Sequence, residues 1–306
     1  MNIFLNKKIL IYGLGKSGLS SFKFLKKKNS VFLYDDFLPK TQTLNVKKNI
    51  ISYKNILKYK FDQIIISPGI DINKCKLSRF LKKNINKIYS DLDVFYSFYK
   101  NDCITITGTN GKSTTCQLLY KILFDQKFDV KLVGNIGTPI LSVKKVNKKT
   151  IFVIEASSYQ LEYSKIFKSK YAAILNISPD HIERHKTLKK YIKAKFKLLK
   201  NQSKGNFAFV KKNDFLINKE LNSERFNCKI IKINTKKINR LIKNTKNEFF
   251  QSETNKENFL FALEISKKFN LKYELIKKTI QKFNGLKYRQ QVIFRKKYLT
   301  IINDSK

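Results

Sequence analysis

A chain of 306 residues has room for two domains of ordinary size, each with its own hydrophobic core. Its 64 basic residues against 22 acidic ones give a formal charge of +42. Nearly all of the basic residues are lysine, whereas proteins that recognise specific bases rely on arginine. We therefore disfavour specific nucleic-acid recognition, attribute the charge to codons rich in A and T, and expect weak adhesion to polyanions.

The chain opens with a strand, a glycine-rich turn and a helix. Lys8 to Tyr12 is a short apolar run, and Gly13-Leu-Gly-Lys-Ser-Gly18 leads from it into an amphipathic helix from Leu19 to Leu25. In this context G-x-G-x-x-G allows a tight turn that brings phosphates close to the N-terminus of the helix. The pattern favours nucleotide binding, and a turn used only for packing is the alternative.

Two further strands of this first unit also end in polar turns. Val31 to Tyr34 is followed by Asp35-Asp36, placed where an acid reaches a ribose or a base. Gln63 to Ile66 is followed by Ser67-Pro-Gly69, a turn with backbone donors at the carboxyl end of a strand. The spacing is typical of a Rossmann-like domain, and dinucleotide binding stays open as a rival interpretation.

A central strand then runs into the motif around which the chain is organised. The apolar stretch from Cys103 to Thr107 is followed by Gly108-Thr-Asn-Gly-Lys-Ser-Thr114, with a helix beginning at Ser113. The two glycines let backbone N–H groups face an anion, the lysine adds a positive charge, and the last two residues offer hydroxyls to Mg²⁺. Ile106 stands where a Walker loop has its first glycine, so the sequence predicts a shorter phosphate loop.

Later strands end in acids, amides and a histidine. Ile151 to Ile154 stops at Glu155, and Ala172 to Leu175 stops at Asn176, with Asp180-His181 shortly after. Because parallel strands share one edge at their carboxyl ends, we expect these side chains to face the phosphate loop. Mg²⁺ prefers oxygen ligands, so a site for triphosphate and Mg²⁺ is predicted at this edge. His181 is favoured as a functional residue over a structural one.

A lysine lies in the apolar stripe of the next helix, from Leu188 to Leu199. At 3.6 residues per turn, Lys195 falls at the middle of that stripe. A lysine there snorkels, pairs with an acid or loses its charge, and the last outcome makes it nucleophilic. From helix geometry alone the snorkelling side chain is favoured.

The remaining pattern completes an α/β protein with an N-terminal Rossmann-like domain (residues 1–93) and a central P-loop ATPase-type domain with a mostly parallel sheet (residues 94–284). Residues 285–306 follow as a linker. Further helices are predicted over Leu77 to Ile88, Asp91 to Tyr99, Asn255 to Phe269 and Tyr273 to Phe283. Further strands are predicted over Asn206 to Val210 and Lys229 to Ile233, with a hairpin from Val292 to Ile302.

The cysteine spacing and the absence of a long apolar stretch indicate the cellular compartment. The four cysteines show no C-x-x-C spacing, so neither a zinc site nor a disulfide framework is predicted. No stretch approaches the about 18 apolar residues of a membrane span, and residues 1–12 lack the pattern of a signal peptide. We expect a monomeric cytoplasmic protein without a membrane segment.

Together, these motifs resemble those of the Mur ligase family, nearly from end to end of the chain. The resemblance rests on Gly13-Leu-Gly-Lys-Ser-Gly18, Ser67-Pro-Gly69, Thr107-Gly-Thr-Asn-Gly-Lys-Ser-Thr114, Gly134-Asn-Ile-Gly137, Glu155-Ala-Ser-Ser-Tyr-Gln160, Asn176-Ile-Ser-Pro-Asp-His181, Tyr191-Ile-Lys-Ala-Lys195, Gly285-Leu-Lys-Tyr-Arg289 and Asn303-Asp-Ser-Lys306. The D-glutamate-adding branch is the most similar. The resemblance implies an ATP-dependent ligase of peptidoglycan synthesis, and hence of cell-wall biogenesis, cell shape and division. Such an enzyme activates UDP-N-acetylmuramoyl-L-alanine as an acyl phosphate and joins it to D-glutamate.

The resemblance also implies roles for individual residues. The uridine diphosphate part of the substrate would lie near Lys16, Ser17, Asp35, Ser67, Pro68 and Gly69, and the muramoyl-alanine part near Asn135, Ser157 and Gln160. ATP would be held by Gly108, Thr109, Asn110, Gly111, Lys112, Ser113, Thr114, Asn255, Arg289 and Asp304. Two Mg²⁺ ions are implied, one at Ser113 and Glu155 and one at His181 and a carbamylated Lys195. The catalytic residues would be Lys112, His181 and Lys195.

The sequence departs from the family pattern on the ATP side and at its end. The stretch Ser252-Glu-Thr-Asn-Lys-Glu-Asn258 and the stretch Tyr288-Arg-Gln-Gln291 each lack the histidine of the family. In the family, Asp-Ser-Lys opens a third domain that binds the amino acid and closes over ATP, so we expect little or no ligation from residues 1–306 alone. The alternatives are a module that binds UDP-muramoyl-peptide or ATP without joining D-glutamate, and a basic nucleic-acid-binding P-loop protein.

Overall fold

The computed structural model describes residues 2–37, 46–236, 247–286, 291–296 and 298–303. Its strands form two parallel sheets and a separate hairpin. The first sheet has four parallel strands in the order β2-β1-β3-β4. These strands are β1 (Lys8–Tyr12), β2 (Ser30–Tyr34), β3 (Gln63–Ile66) and β4 (Ile88–Tyr89), and the helices among them are α1 (Lys16–Leu25), α2 (Tyr53–Lys58) and α3 (Ser78–Lys83).

The predicted glycine-rich turn joins β1 to α1. Gly13 has a φ of 96°, in the region that favours glycine. A Cβ atom at Gly18 would lie 1.8 Å from the carbonyl oxygen of Gly13, so a side chain there would force the helix away from the strand. The turn therefore has the close packing that the motif predicted.

The helix predicted from Leu77 to Ile88 is wrong in its second half. The helix ends at Lys83, and a short 3₁₀ turn leads into β4. Asn84 leaves the helical conformation, with φ −108° and ψ 23°, and its side-chain Nδ2 donates to the carbonyl oxygen of Phe80. An asparagine side chain that bonds the backbone in this way competes with the helix. Ile88 then pairs with Ile64 in the sheet and is 1% exposed, so pairing in the tertiary fold overrides the helical pattern.

The second sheet has six parallel strands in the order β10-β9-β8-β5-β7-β6. The strands are β5 (Cys103–Thr107), β6 (Val130–Gly134), β7 (Ile151–Glu155), β8 (Tyr171–Ile174), β9 (Phe207–Lys211) and β10 (Lys229–Ile233). The central strand β5 is buried along its whole length, as expected for a parallel strand covered on both faces. The predicted α/β class with mostly parallel sheets is confirmed.

Helices cover both faces of this sheet. They are α4 (Asp91–Phe98), α5 (Lys112–Asp125), α6 (Ser158–Tyr163), α7 (Ile182–His185), α8 (Leu188–Lys200), α9 (Phe215–Ser223), α10 (Glu253–Ser266) and α11 (Tyr273–Lys282). The helices predicted at α4, α8, α10 and α11 are confirmed, with small differences at their ends. The short helices α2, α6, α7 and α9 were not predicted, because a few residues give too little periodicity to read.

Helix α4 joins the two sheets. The ring of Phe95 packs edge-to-face on that of Phe152 in the second sheet, with centroids 4.8 Å apart, and Phe98 packs on Phe24 of α1. The carboxylate of Asp93 is fully buried, and its Oδ1 accepts hydrogen bonds from the backbone N–H groups of residues 165, 166 and 167. The boundary predicted between residues 93 and 94 lies inside this helix and stays a prediction.

The predicted C-terminal hairpin is confirmed. β11 (Gln291–Lys296) pairs antiparallel with β12 (Leu299–Asn303). Ile293, Tyr298 and Leu299 are exposed. Within the described ranges, no helix has the length and apolar character required to cross a bilayer.

Candidate functional site at the carboxyl edge of the second sheet

The phosphate loop connects β5 to α5, and the helix begins at Lys112, one residue earlier than predicted. Gly111 caps the helix with a φ of 82°, and a Cβ atom there would lie 2.1 Å from Oδ1 of Asn258. Both the conformation and the close approach of α10 therefore require glycine. Asn258 is 4% exposed, and its Oδ1 accepts from the hydroxyl of Thr115 in α5, so α10 buttresses the loop.

The segment after β8 holds the other side of the loop. The side chain of Asn176 accepts from the N–H of Asn110 at 2.9 Å, and its Nδ2 donates back to the carbonyl oxygen of Asn110 at 3.2 Å. The hydroxyl of Thr109 accepts from the N–H of Ser178 at 3.0 Å and lies 3.1 Å from the hydroxyl of Tyr191. Asn176 thus faces the loop as predicted, and its contacts orient the loop backbone.

Lys195 lies on α8 behind the loop and is 1% exposed. Its Nζ donates to the carbonyl oxygen of Gly108 at 2.8 Å and lies 4.5 Å from the centre of the Tyr191 ring. Burial and, to a smaller extent, the charge of Lys112 lower the pKa of this amine to about 7. The snorkelling side chain favoured by helix geometry is wrong, because the amine ends in the interior and loses much of its charge at neutral pH.

Glu155 ends β7 and is 1% exposed. Its Oε1 accepts from Nδ2 of Asn135 at 3.0 Å, and the backbone N–H of Asn135 donates to its carbonyl oxygen. Its Oε2 is buried and has no hydrogen-bond partner among the described residues. A buried carboxylate oxygen without a partner is costly, and a hard cation satisfies it. The residue therefore fits the predicted Mg²⁺ site.

The predicted metal ligands do not surround an ion with protein side chains alone. Among the described residues, no three His, Cys, Asp or Glu side chains lie close enough to hold a metal ion on their own. Ser113 is buried at the start of α5. A cation beside Glu155 would thus need oxygen from a hydroxyl and from a bound phosphate, which is the usual coordination of Mg²⁺ with nucleotides.

His181 lies at the N-terminus of α7 in the left-handed conformation, with a φ of 53°. Its Nε2 is 3.3 Å from Oδ2 of Asp180, and its side chain is 45% exposed. Its ring contacts Tyr159 and Tyr191, with centroids 5.0 and 6.4 Å away. Because the Tyr191 ring also lies against the Lys195 amine, the two predicted ligands of the second ion flank one tyrosine.

The residues predicted to hold the uridine diphosphate gather at the carboxyl edge of the first sheet. Oδ2 of Asp35 accepts from the N–H of Leu14 at 2.6 Å, and the Ser67 hydroxyl donates to the carbonyl oxygen of Gly13 at 2.7 Å. Both side chains therefore shape the glycine-rich turn. Lys16 and Gly69 are exposed beside it, and Pro68 is half-buried.

A buried acid that the sequence did not reveal connects two of the predicted substrate residues. Oδ2 of Asp91 accepts from the Ser17 hydroxyl at 2.6 Å, and its two oxygens lie 3.2 and 3.3 Å from Nε2 of Gln160. Burial raises the pKa of this carboxyl, and the hydrogen bonds from Ser17 and Gln160 oppose the rise. Oε1 of Gln160 accepts from the N–H of Ser157, so the amide is fixed at both ends.

Of the residues outside the loop that are predicted to bind ATP, the structure describes Asn255. Asn255 is 7% exposed, and its Nδ2 donates to the carbonyl oxygen of Phe249 at 2.9 Å, so its side chain closes the turn before α10. Arg289 and Asp304 lie outside the described residues. The loop itself, Glu155 and Lys195 are brought together as predicted.

Comparison with known proteins agrees with this geometry. The family model of the Mur ligase middle domain matches residues 106–279, and that of the MurD-like N-terminal domain matches residues 7–89. The chain is 32% identical to the UDP-N-acetylmuramoylalanine--D-glutamate ligase of Rickettsia bellii, with 100% of this chain and 73% of that protein covered. It is 31% identical to the enzyme of the same name from Clostridioides difficile, with 98% and 72% covered.

Solved structures show the same fold at lower identity. The UDP-N-acetylmuramate:L-alanyl-gamma-D-glutamyl-meso-diaminopimelate ligase from Neisseria meningitides has a TM-score of 0.61 at 14% identity, covering 92% of this chain and 99% of that chain. The MurF ligase from Thermotoga maritima, solved in complex with ADP, has a TM-score of 0.56 at 13% identity, covering 99% and 72%.

Proposed function

The chain belongs to the Mur ligase family, and we propose that it is an ATP-dependent ligase that joins D-glutamate to UDP-N-acetylmuramoyl-L-alanine. The observation that carries the proposal is the meeting of the phosphate loop, the unsatisfied carboxylate of Glu155 and the buried amine of Lys195 at one sheet edge. Dinucleotide oxidoreduction does not account for a second sheet with its own phosphate loop.

The proposal divides the substrates between the two sheets. The uridine diphosphate lies on the first sheet at Lys16, Ser17, Asp35 and residues 67–69, and the muramoyl-alanine part faces Asn135, Ser157 and Gln160. ATP lies on the loop from Gly108 to Thr114, with Asn255, Arg289 and Asp304 on its nucleotide side. The proposed domain bounds are residues 1–93, 94–284 and 285–306, the last being the start of an amino-acid-binding domain. The proposed setting is a cytoplasmic monomer that binds neither membrane nor specific nucleic acid.

In the proposed reaction the alanyl carboxylate attacks the γ-phosphorus of ATP, the bond to the β-phosphate oxygen breaks, and ADP leaves. The amine of D-glutamate, having lost a proton, attacks the acyl phosphate, and inorganic phosphate leaves as the amide forms. Lys112, held between the carbonyl oxygens of Gly108 and Thr109, places positive charge at the transferring phosphoryl group. Mg²⁺, when bound, supplies further charge stabilisation; Ser113 and Glu155 would hold one ion, and His181 with Lys195 a second.

The environment of Lys195 favours carbamylation. With a pKa of about 7, much of its amine is neutral at cytoplasmic pH. A neutral amine adds to CO₂, forming a C–N bond and releasing one proton, and the product is an anionic carboxylate. Burial behind the loop excludes bulk water, and the adjacent charge of Lys112 stabilises the anion.

Release of phosphate from ATP tests the proposal. We expect release that requires both UDP-N-acetylmuramoyl-L-alanine and D-glutamate from the chain extended by an amino-acid-binding domain, and little or none from residues 1–306 alone. Lys112→Ala should abolish it, since the phosphates lose their fixed cation. Binding of both UDP-substrate and ATP without any release, in both forms, would favour a binding module. Release that depends on DNA or RNA instead would favour the nucleic-acid alternative.

A further inference from the structure

One arginine contacts both parts of the chain at once. The side chain of Arg184, on α7, is 9% exposed. Toward the first sheet, its Nη2 donates to the carbonyl oxygen of Ile70 at 3.0 Å, and its Nη1 lies 3.5 Å from Oδ1 of Asp71. Toward the second sheet, Nη2 donates to the hydroxyl of Tyr163 at 2.8 Å and lies 2.9 Å from Oε2 of Glu162. The guanidinium therefore bridges the two halves of the molecule.

The surroundings of this guanidinium leave it little freedom. It lies 5.4 Å from the ring centre of Tyr159 and 5.7 Å from that of Tyr163, so two aromatic rings flank it at cation–π distance. Asp71 and Glu162 approach it from different parts of the chain, and their side chains are 11% and 27% exposed. Removing the arginine would leave two carboxylates facing each other with little water, so the halves would repel.

On each side of Arg184, its partners belong to segments that carry proposed substrate contacts. Ile70 closes the turn of residues 67–69, because its N–H donates to the carbonyl oxygen of Ser67 at 3.0 Å. Glu162 and Tyr163 belong to α6, whose N-terminus carries Ser157 and Gln160. The backbone of Arg184 also donates to the carbonyl oxygen of His181 at 3.1 Å. One residue thus connects the nucleotide turn, the muramoyl-alanine helix and the turn of His181.

The choice of arginine is itself informative. Of the 64 basic residues in the chain, six are arginine, so the codon bias strongly favours lysine. At this position four acceptors lie around one cation: two carboxylates, a carbonyl and a hydroxyl. The two Nη groups of the planar guanidinium reach them together, whereas the single nitrogen of an ammonium does not.

We propose that Arg184 is a positioning residue that holds the nucleotide half of the UDP-muramoyl site at a fixed distance from the muramoyl-alanine half. The inference rests on the proposed function. The whole substrate spans both halves, so its affinity depends on their separation. Ligands that occupy one half do not depend on it.

The affinities of three ligands for Arg184→Lys, measured by calorimetry, test this inference. UDP occupies the first half, a non-hydrolysable ATP analogue occupies the phosphate loop, and UDP-N-acetylmuramoyl-L-alanine occupies both halves of its site. We expect the whole substrate to bind at least about tenfold more weakly, with UDP and the analogue changed by less than about twofold. Arg225→Lys, an exposed arginine, is the matched control and should change none of the three.

Asp71→Asn gives a second test that keeps the arginine and changes little volume. It should produce the same selective loss, since Asp71 is the carboxylate on the nucleotide side of the bridge. Equal weakening of all three ligands would overturn the inference and assign Arg184 to general stability. Unchanged affinity for the whole substrate in both variants would overturn it as well. If the unsubstituted protein binds UDP and the ATP analogue but not the whole substrate, the proposed function fails and this inference fails with it.

Discussion

Lys112 and Lys195 donate to the same acceptor, the carbonyl oxygen of Gly108, at 3.1 and 2.8 Å. Two ammonium groups that share one carbonyl repel each other, and the more buried one gives up its proton more easily. That is Lys195, whose pKa falls to about 7, while Lys112 keeps a second acceptor in Thr109. The loop therefore places two lysines on one carbonyl oxygen, and the buried one, Lys195, is the amine available for chemistry.

Lys195→Ala should reduce phosphate release in the complete reaction by about a hundredfold or more, because a charge-bearing group beside the phosphates is lost. If the amine is carbamylated, acetate or formate should restore part of the rate by occupying the vacated space. The exposed Lys193→Ala should lose no activity and gain none from acetate. Full activity in Lys195→Ala, or rescue by methylamine in place of acetate, would contradict the carbamate.

Gly111→Ala should abolish binding of ATP and lower the free energy of unfolding by about 1–3 kcal/mol from backbone strain, with an added cost from Asn258. Gly205→Ala is the matched control, since Gly205 has a φ of 92° and nothing within 4 Å of the added Cβ. It should cost about 1 kcal/mol and leave ATP binding intact. Equal effects of both variants on nucleotide affinity would show that the contact with Asn258 is irrelevant. Titration with a fluorescent ATP analogue and urea unfolding measure the two quantities.

Asp91→Asn should weaken binding of UDP-N-acetylmuramoyl-L-alanine by about tenfold, because the amide offers Ser17 and Gln160 one acceptor oxygen where the carboxylate offers two. Burial raises the pKa of Asp91, so its ionised form lowers the stability of the unsubstituted protein as the pH rises through that pKa. The variant should therefore be at least as stable at pH 7, which separates weak binding from poor folding. Glu274→Gln, on an exposed side chain, is the control. A variant that is both less stable and unimpaired in binding would refute this role.

Acid should destabilise the protein through His185. This residue is 2% exposed, its Nε2 lies 3.0 Å from the Ser158 hydroxyl, and burial, aided by the charge of Arg184, lowers its pKa to about 4. The unfolded chain takes up a proton near pH 6.5 and the folded one near pH 4, so stability is lost as the pH falls through this window. The loss should reach about 3 kcal/mol at pH 4. In urea unfolding across this range, the free energy of unfolding should fall less with pH in His185→Gln than in the unsubstituted protein, and an equal fall in both would contradict this role.

Local patterns in the sequence were enough to predict most of the strands, the glycine-rich turns and the phosphate loop, but not β4. Those features depend on neighbours within a few residues, such as the glycine conformation at Gly111 and the apolar run of β5. The place of Lys195 in the apolar stripe also followed from helical period, but the burial of its amine did not, because that depends on Gly108 and Lys112, which no periodicity reveals.

Contacts between distant parts of the chain were beyond local patterns. Asp91 belongs to a Ser-Asp-Leu-Asp stretch that is typical of a helix start, and nothing in its spacing indicates Ser17 or Gln160. Arg184 lies in the short helix α7 among other charged residues, and its side-chain partners are 21 or more residues away. Such residues are recognised when the fold brings their partners together.

The buried carboxylate of Asp93 has a consequence for how the protein unfolds. Its hydrogen bonds to residues 164–167 tie α4 to the second sheet, while the other end of the helix packs on α1 of the first. Separating the sheets would break either these buried hydrogen bonds or the packing of Phe98 on Phe24, so neither half gains by opening alone. Despite its two sheets, the chain should melt as one cooperative unit, with equal calorimetric and van't Hoff enthalpies.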